Sequence, residues 1–172
     1  MRLALALLAA LALAACKDEQ AAAPDPVRLT DAATAHFCQM TMTNMPGPKA
    51  QVHLAGFEDP LWFAQIRDLI AFLRSPEKVA DIRAVYVSDM DAAQSWARPG
   101  RDNWTEAGSA FYVVGSGKRG GMGAPEVVPF AGQAAARAFA EAEGGEVMRL
   151  DDIPDAAVLG PVDIVPPEEA PS

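Results

Sequence analysis

"AQVHLAGFEDPLWFAQIRDLIAFLRSPEKVADIRAVYVSD", residues 50–89, carries two different hydrophobic periods. From Ala50 to Gly56 polar and apolar residues alternate, the pattern of a half-buried strand. From Pro60 onward Leu61, Trp62, Ile66, Leu69, Ile70 and Leu73 recur at helical spacing, with Asp59 placed to cap and Pro60 at the first helical position. "IRAVYVSD", from Ile82, returns to strand character. Upstream, residues 37–43 read as an extended segment, and "NMPGPK" from Asn44 as a turn punctuated by Pro-Gly-Pro. The order is strand, strand, helix, strand.

The same order returns later in the chain. "SAFYVVGS" from Ser109 reads as a strand and "GKRGGMGAPE" from Gly117 as a glycine-rich loop. "EVVPFA" from Glu126 is a short strand whose Pro129 argues for a sheet edge. "GQAAARAFAEAEG" from Gly132 is a helix ending near Gly144 and Gly145, and "EVMRL" from Glu146 closes the unit. The repeat predicts an α+β fold: two similar ββαβ units in one small domain, at 36–90 and 109–153, with antiparallel or mixed sheets and one helix per unit. Residues 91–108 read as the linker between them.

The flanks have a different character. Met1, Arg2 and the apolar run that follows form a secretion signal over 1–15, too short to span a bilayer. The run ends in "LAAC", residues 13–16, the pattern of a bacterial lipoprotein, which implies cleavage before Cys16 and its acylation. Acyl chains hold a protein to a membrane by burying methylene groups. Lys17 follows in place of Asp, so the usual inner-membrane retention signal is missing and either membrane stays open. Residues 16–35 read as the lipidated Cys and a flexible tether, and 154–172 as a proline-rich acidic tail.

Composition removes several functions. Lys and Arg number 14 against 23 Asp and Glu, a net charge of −9, which excludes nucleic acid as a partner. There is no Cys-x-x-Cys, no Gly-x-Ser-x-Gly and no Walker-type loop; "GSGKRGG" lacks the Lys-Ser/Thr ending.

Of two cysteines, lipidation consumes Cys16. Cys38 is then a single thiol in an oxidising compartment, which must be buried, paired between chains or occupied. Its surroundings, "FCQMTMTNMPGPK" at 37–49, hold three methionines. Thiolate and thioether sulfur suit Cu(I), a soft ion. On a strand, Cys38, Met40 and Met42 would share one face. Cα atoms two apart lie about 6.6 Å apart and four apart about 13 Å, so Cys38 and Met40 can share an ion while Met42 falls out of reach without a bend. A third donor must come from elsewhere. Met122 is the best candidate, since it sits among glycines, away from any periodic apolar segment, at the place in unit two that the sulfur turn holds in unit one. His36 would share the strand face of Cys38, and His53 lies in the adjacent hairpin. Met42 and Met45 read as packing or a flexible rim, Met90 and Met148 as core.

Taken together, "LAAC", "FCQMTMTNMPGPKAQV", "SAFYVVGSGKRGGMGAPEVVPF" and "FAEAEGGEVMRLDDI" resemble the NosL family, lipoprotein copper chaperones accessory to nitrous oxide reductase. The resemblance implies a fold of two ββαβ units related to an organomercurial lyase. It implies a Cu(I) carrier, not an enzyme, lipid-anchored and facing the periplasm. Its partners are then apo nitrous oxide reductase, whose copper centres it supplies, and the associated maturation machinery. The family's Cys-x-Met falls on Cys38 and Met40 and its Gly-Met-Gly on Met122. Few ligands per chain leave room for a homodimer that shares metal. Two other readings compete: a thiol enzyme with Cys38 as nucleophile and His36 as base, and a metal-free interaction lipoprotein with an inert Cys38.

Overall fold

β1 (Ala50–Leu54) is the inner strand of an antiparallel sheet, flanked by β2 (Leu61–Phe63) and β3 (Ile82–Ser88), with β4 (Trp104–Glu106) added beyond β3. The structure, a computed structural model, describes residues 22–163 apart from Lys78. The signal at 1–15, Cys16 and the tail from 164 lie outside the described residues. Among those described, no helix is long and apolar enough to cross a membrane.

The second sheet repeats the arrangement. β5 (Phe111–Val114) lies between β6 (Val128–Phe130) and β7 (Glu146–Met148), again antiparallel to both. A helix joins the second strand to the third in each unit: α1 (Ile66–Arg74) and α2 (Gln133–Glu143). Two ββαβ units of like topology therefore make up this α+β fold. Pro129 does stand in an edge strand, where its missing N–H costs no ladder bond.

The first unit departs from the sequence reading in phase. Leu61, Trp62 and Phe63 are not the start of a helix; they pair with Val52, Gln51 and Ala50. Large apolar and aromatic side chains suit a pleated, half-buried surface. Gln65 is extended (φ −139°, ψ 143°), so the helix begins only at Ile66, and Asp59 and Pro60 play no part in capping it. Residues 37–43 form no strand either. They close a bent loop followed by a single 3-10 turn, Met42–Asn44.

All five residues of β1 are buried, where alternation predicted only one covered face. Ala50, Val52 and Leu54 enter the main core with Phe63, Ile66, Leu69 and Ile70. The polar face is covered by the N-terminal arm. Val27 N–H donates to Gln51 Oε1 (2.9 Å), Gln51 Nε2 donates to the Val27 carbonyl (3.0 Å), and the Tyr86 hydroxyl donates to the Pro24 carbonyl (2.7 Å). Leu29 is buried beyond them. Much of the stretch read as a tether thus packs on the domain. The stretch read as a linker supplies β4, and the one read as a tail supplies α3 (Asp155–Leu159), whose Val158 is buried in the main core.

β5 serves two cores. Tyr112 faces the main one, whereas Val113 joins Val128, Phe130 and Ala136 in a second core under α2. Leu69, fully buried, should lose about 2–5 kcal/mol of stability on truncation to Ala, read by urea unfolding. Gln51→Ala should act locally: the Val27 amide is expected to lose its hydrogen-exchange protection while amides in the second sheet keep theirs.

Candidate metal centre

Residues 36–39 form the tip of a loop closed by Ala35 N–H on the Met40 carbonyl (2.9 Å), Gln39 N–H on the Ala35 carbonyl (2.9 Å) and Met42 N–H on the Ala33 carbonyl (3.0 Å). Gln39 takes the left-handed conformation (φ 57°), and its side-chain amide donates to the His36 carbonyl (2.7 Å). That local hydrogen bond supports a conformation few side chains favour. The loop is pinned to β2 and α1. His36 N–H donates to the Trp62 carbonyl (2.7 Å). The His36 ring lies 5.7 Å from both Phe63 and Phe72, and Phe37 stands edge-on to Phe63 at 5.7 Å.

Cys38 is half-buried at this tip and packs against a cluster of Leu29, Ala33, Ala35, Met42, Met45 and Ala64. Met42 is 0% exposed and Met45 5%, while Met40 is 45% exposed. The strand geometry expected for Cys38, Met40 and Met42 does not hold, because the chain bends. Met42 is packed inside, and Met40 is left at the surface.

Met122 lies at the tip of a second loop, 39% exposed. Gly120 N–H on the Ala124 carbonyl, Gly123 N–H on the Gly120 carbonyl (2.9 Å each) and Glu126 N–H on the Lys118 carbonyl (3.0 Å) shape it. Gly121 seats this loop on the first. A Cβ there would lie 2.6 Å from Met45 Cε, 3.1 Å from Met45 Cβ and 3.4 Å from Pro46 Cδ, so a side chain would force Met45 to shift. Met45 therefore touches both the cluster under Cys38 and the residue before Met122. Trp96 adds a second tie, since its indole N–H donates to the Arg119 carbonyl (3.1 Å) and its carbonyl accepts from Gly47 N–H (2.8 Å).

A buried polar layer lies below. Lys49 is 1% exposed, and its ammonium donates to the carbonyls of Pro46 and Gly47. Burial drops its pKa to about 8, opposed by the Glu126 charge. Glu126, equally sequestered, accepts through Oε1 from the N–H groups of Ile66 (3.0 Å), Val127 (3.0 Å) and Arg67 (3.4 Å); Oε2 has no partner. Burial pushes its pKa up to about 8, against those backbone N–H groups and Lys49. Neither residue stood out in the sequence. Glu126 acts on residues 60 positions away, and no local pattern marks it.

His53 belongs to the arm clamp. Its Nε2 lies 2.8 Å from Gln51 Oε1, an oxygen that can only accept, so Nε2 carries the proton. Burial lowers its pKa and keeps the ring neutral. Met90 is half-buried against the second core and Met148 against the main one. Among the described residues, no three His, Cys, Asp or Glu side chains group as a metal cage, so a site here would have to draw on methionine sulfur.

Such a chain is an α+β protein of two ββαβ units with a half-buried thiol, an exposed methionine two residues on, and a second exposed methionine on a loop that packs against Met45. The chain belongs to the NosL family, whose model matches residues 26–158. It is 50% identical over 164 residues to the copper-binding lipoprotein NosL of Achromobacter cycloclastes, covering 95% of this chain and 85% of that one. It is 35% identical over 158 residues to that of Stutzerimonas stutzeri, covering 90% and 80%. The crystal structure of the copper chaperone NosL from Shewanella denitrificans superposes with a TM-score of 0.71 at 35% identity, covering 77% of this chain and 97% of that one.

Exposure predicts an order of oxidation. Dilute peroxide should convert Met40 and Met122 to sulfoxides well before Met42 and Met45, as peptide mass spectrometry would show. Glu126 predicts a pH dependence. Its folded pKa is raised from 4.5 to about 8, so the folded state retains a proton that the unfolded chain has lost. The stabilising contribution is full below about pH 4.5 and is lost as pH rises through 8. Lys49 acts above that window, between about 8 and its ordinary 10.5. Unfolding free energy measured at pH 5 and pH 8 should fall in the wild type and fall less in Glu126→Gln.

Proposed function

We propose that this protein is a copper chaperone that carries Cu(I) on Cys38, with Met40 and Met122 as thioether donors and His36 as a further candidate in the same loop. The observation that carries the reading is the seating of the Met122 loop on Met45, beside the cluster that supports Cys38. The names of its relatives, copper-binding lipoproteins and a copper chaperone, support the choice of metal.

The chemistry favours the monovalent ion. A thiolate supplies one negative charge, and thioethers add neutral sulfur that stays unprotonated at any pH; both are soft donors. Met40 and Met122 stand at the surface, where an acceptor's ligands can reach the ion and replace them one at a time. A carrier needs this: tight holding by one anion, and weak, exchangeable completion of the shell. The cargo leaves unchanged, so the protein turns nothing over.

The acceptor in this reading is apo nitrous oxide reductase, approached with the help of its maturation machinery. Acylated Cys16 holds the domain at a membrane on its periplasmic side, inner or outer. Two chains that pair through their open shells would share metal as a homodimer.

Anaerobic Cu(I) titration against a chromophoric competitor tests the ligands. One Cu(I) per chain is expected for the wild type. Cys38→Ser should weaken binding about 100-fold, some 2.8 kcal/mol, and Met40→Ala and Met122→Ala about tenfold each. Wild-type affinity in Cys38→Ser would overturn the assignment. Transfer is tested separately, by following copper from the loaded protein into apo nitrous oxide reductase after mixing.

A further inference from the structure

We infer that Glu126 is a positioning residue for the thiol–thioether site: it fastens the loop that carries Met122 to the helix on which the Cys38 loop is pinned. The inference rests on the copper reading above and adds a residue that touches none of the proposed donors' sulfurs in its own role.

The connection can be followed atom by atom. The Cys38 loop is held to β2 and α1 by the His36 N–H on the Trp62 carbonyl and by the His36 and Phe37 rings on Phe63 and Phe72. The first two N–H groups of α1, those of Ile66 and Arg67, donate to Glu126 Oε1. Glu126 closes the base of the Met122 loop, since its own N–H donates to the Lys118 carbonyl. One carboxyl group therefore joins the two segments that hold the proposed sulfur donors.

A plain cap for α1 would not need this arrangement. Helix starts are ordinarily served by a Ser, Thr, Asp or Asn directly before the first turn. Here Gln65 occupies that place and makes no capping bond. The donors of the first turn are met instead from 60 residues away, by a group on the other unit's loop. The second carboxylate oxygen is directed at the same loop. A Cβ at Gly120 would lie 2.4 Å from Glu126 Oε2 and 2.5 Å from Gln65 Oε1, so both oxygens crowd the bare face of Gly120, two residues before Met122. The Lys49 ammonium holds the facing turn by its Pro46 and Gly47 carbonyls, directly after Met45. The loop is thereby held from both sides.

The test uses the full chain loaded anaerobically with Cu(I), as wild type, Glu126→Gln, Glu126→Ala and Cys38→Ser. Affinity comes from competition titration, and the shell from copper X-ray absorption. Glu126→Gln keeps an oxygen acceptor for the N–H groups and should bind within about twofold of wild type with the same sulfur scatterers. Outer-shell partners typically matter by 10–100-fold, so Glu126→Ala should bind about tenfold more weakly and lose one sulfur scatterer while circular dichroism stays that of the folded protein. If Glu126→Ala does not fold, Glu126→Asp, one methylene shorter, takes its place with the same expectation. A folded Ala or Asp variant with wild-type affinity and an intact sulfur shell overturns the inference. Cys38→Ser separates the two claims: tight binding there sinks the copper reading, whereas its loss beside an unaffected Glu126 variant sinks this inference alone.

Discussion

Everything at the candidate centre depends on Met45 packing against the bare α-carbon of Gly121. Each ββαβ unit has its own sheet, and the contact joins a loop before β1 to the loop between β5 and β6. Without a close approach between those loops, the thiol of one unit and the glycine-flanked thioether of the other would have no common neighbour. Methionine suits the contact, because an unbranched, polarisable side chain fits an irregular gap. Glycine opposite it leaves room for the methyl group, which a Cβ would force to shift.

The sulfur atoms divide by depth, and the division matters chemically. Met42 and Met45 are packed in the apolar cluster and hold the loops in place. Met40 and Met122 are exposed to solvent. A single segment of sequence thus supplies both buried and exposed methionines.

Beneath the sulfur cluster lies a polar layer whose burial is costly. A sequestered carboxyl and ammonium lose hydration, which the protein offsets with backbone partners. Glu126 is met by three N–H groups and Lys49 by two carbonyls. Hydrogen bonds of this kind are directional, so they define loop position in a way apolar packing does not. The ion pairs at the surface, such as Arg28–Asp102 and Arg101–Asp31, are solvent-screened and contribute little by comparison.

The sequence by itself determined the element types of the second unit, its edge strand at Pro129, the repeat, and the sulfur donors as candidates. These are local properties: hydrophobic period, turn chemistry and ligand softness are readable within a few residues. Tertiary structure decided the rest. Leu61, Trp62 and Phe63 form a short apolar run that suits a strand or a helix equally, and only pairing with β1 selects the strand. The polar residues Gln51 and His53 are buried because an arm from more than 20 residues upstream covers them. Glu126 reads as an ordinary acidic residue until the fold sets it against the start of α1. A contact between distant segments leaves no period in either one, so burial, partners and the meeting of the two loops exist only once the chain has folded.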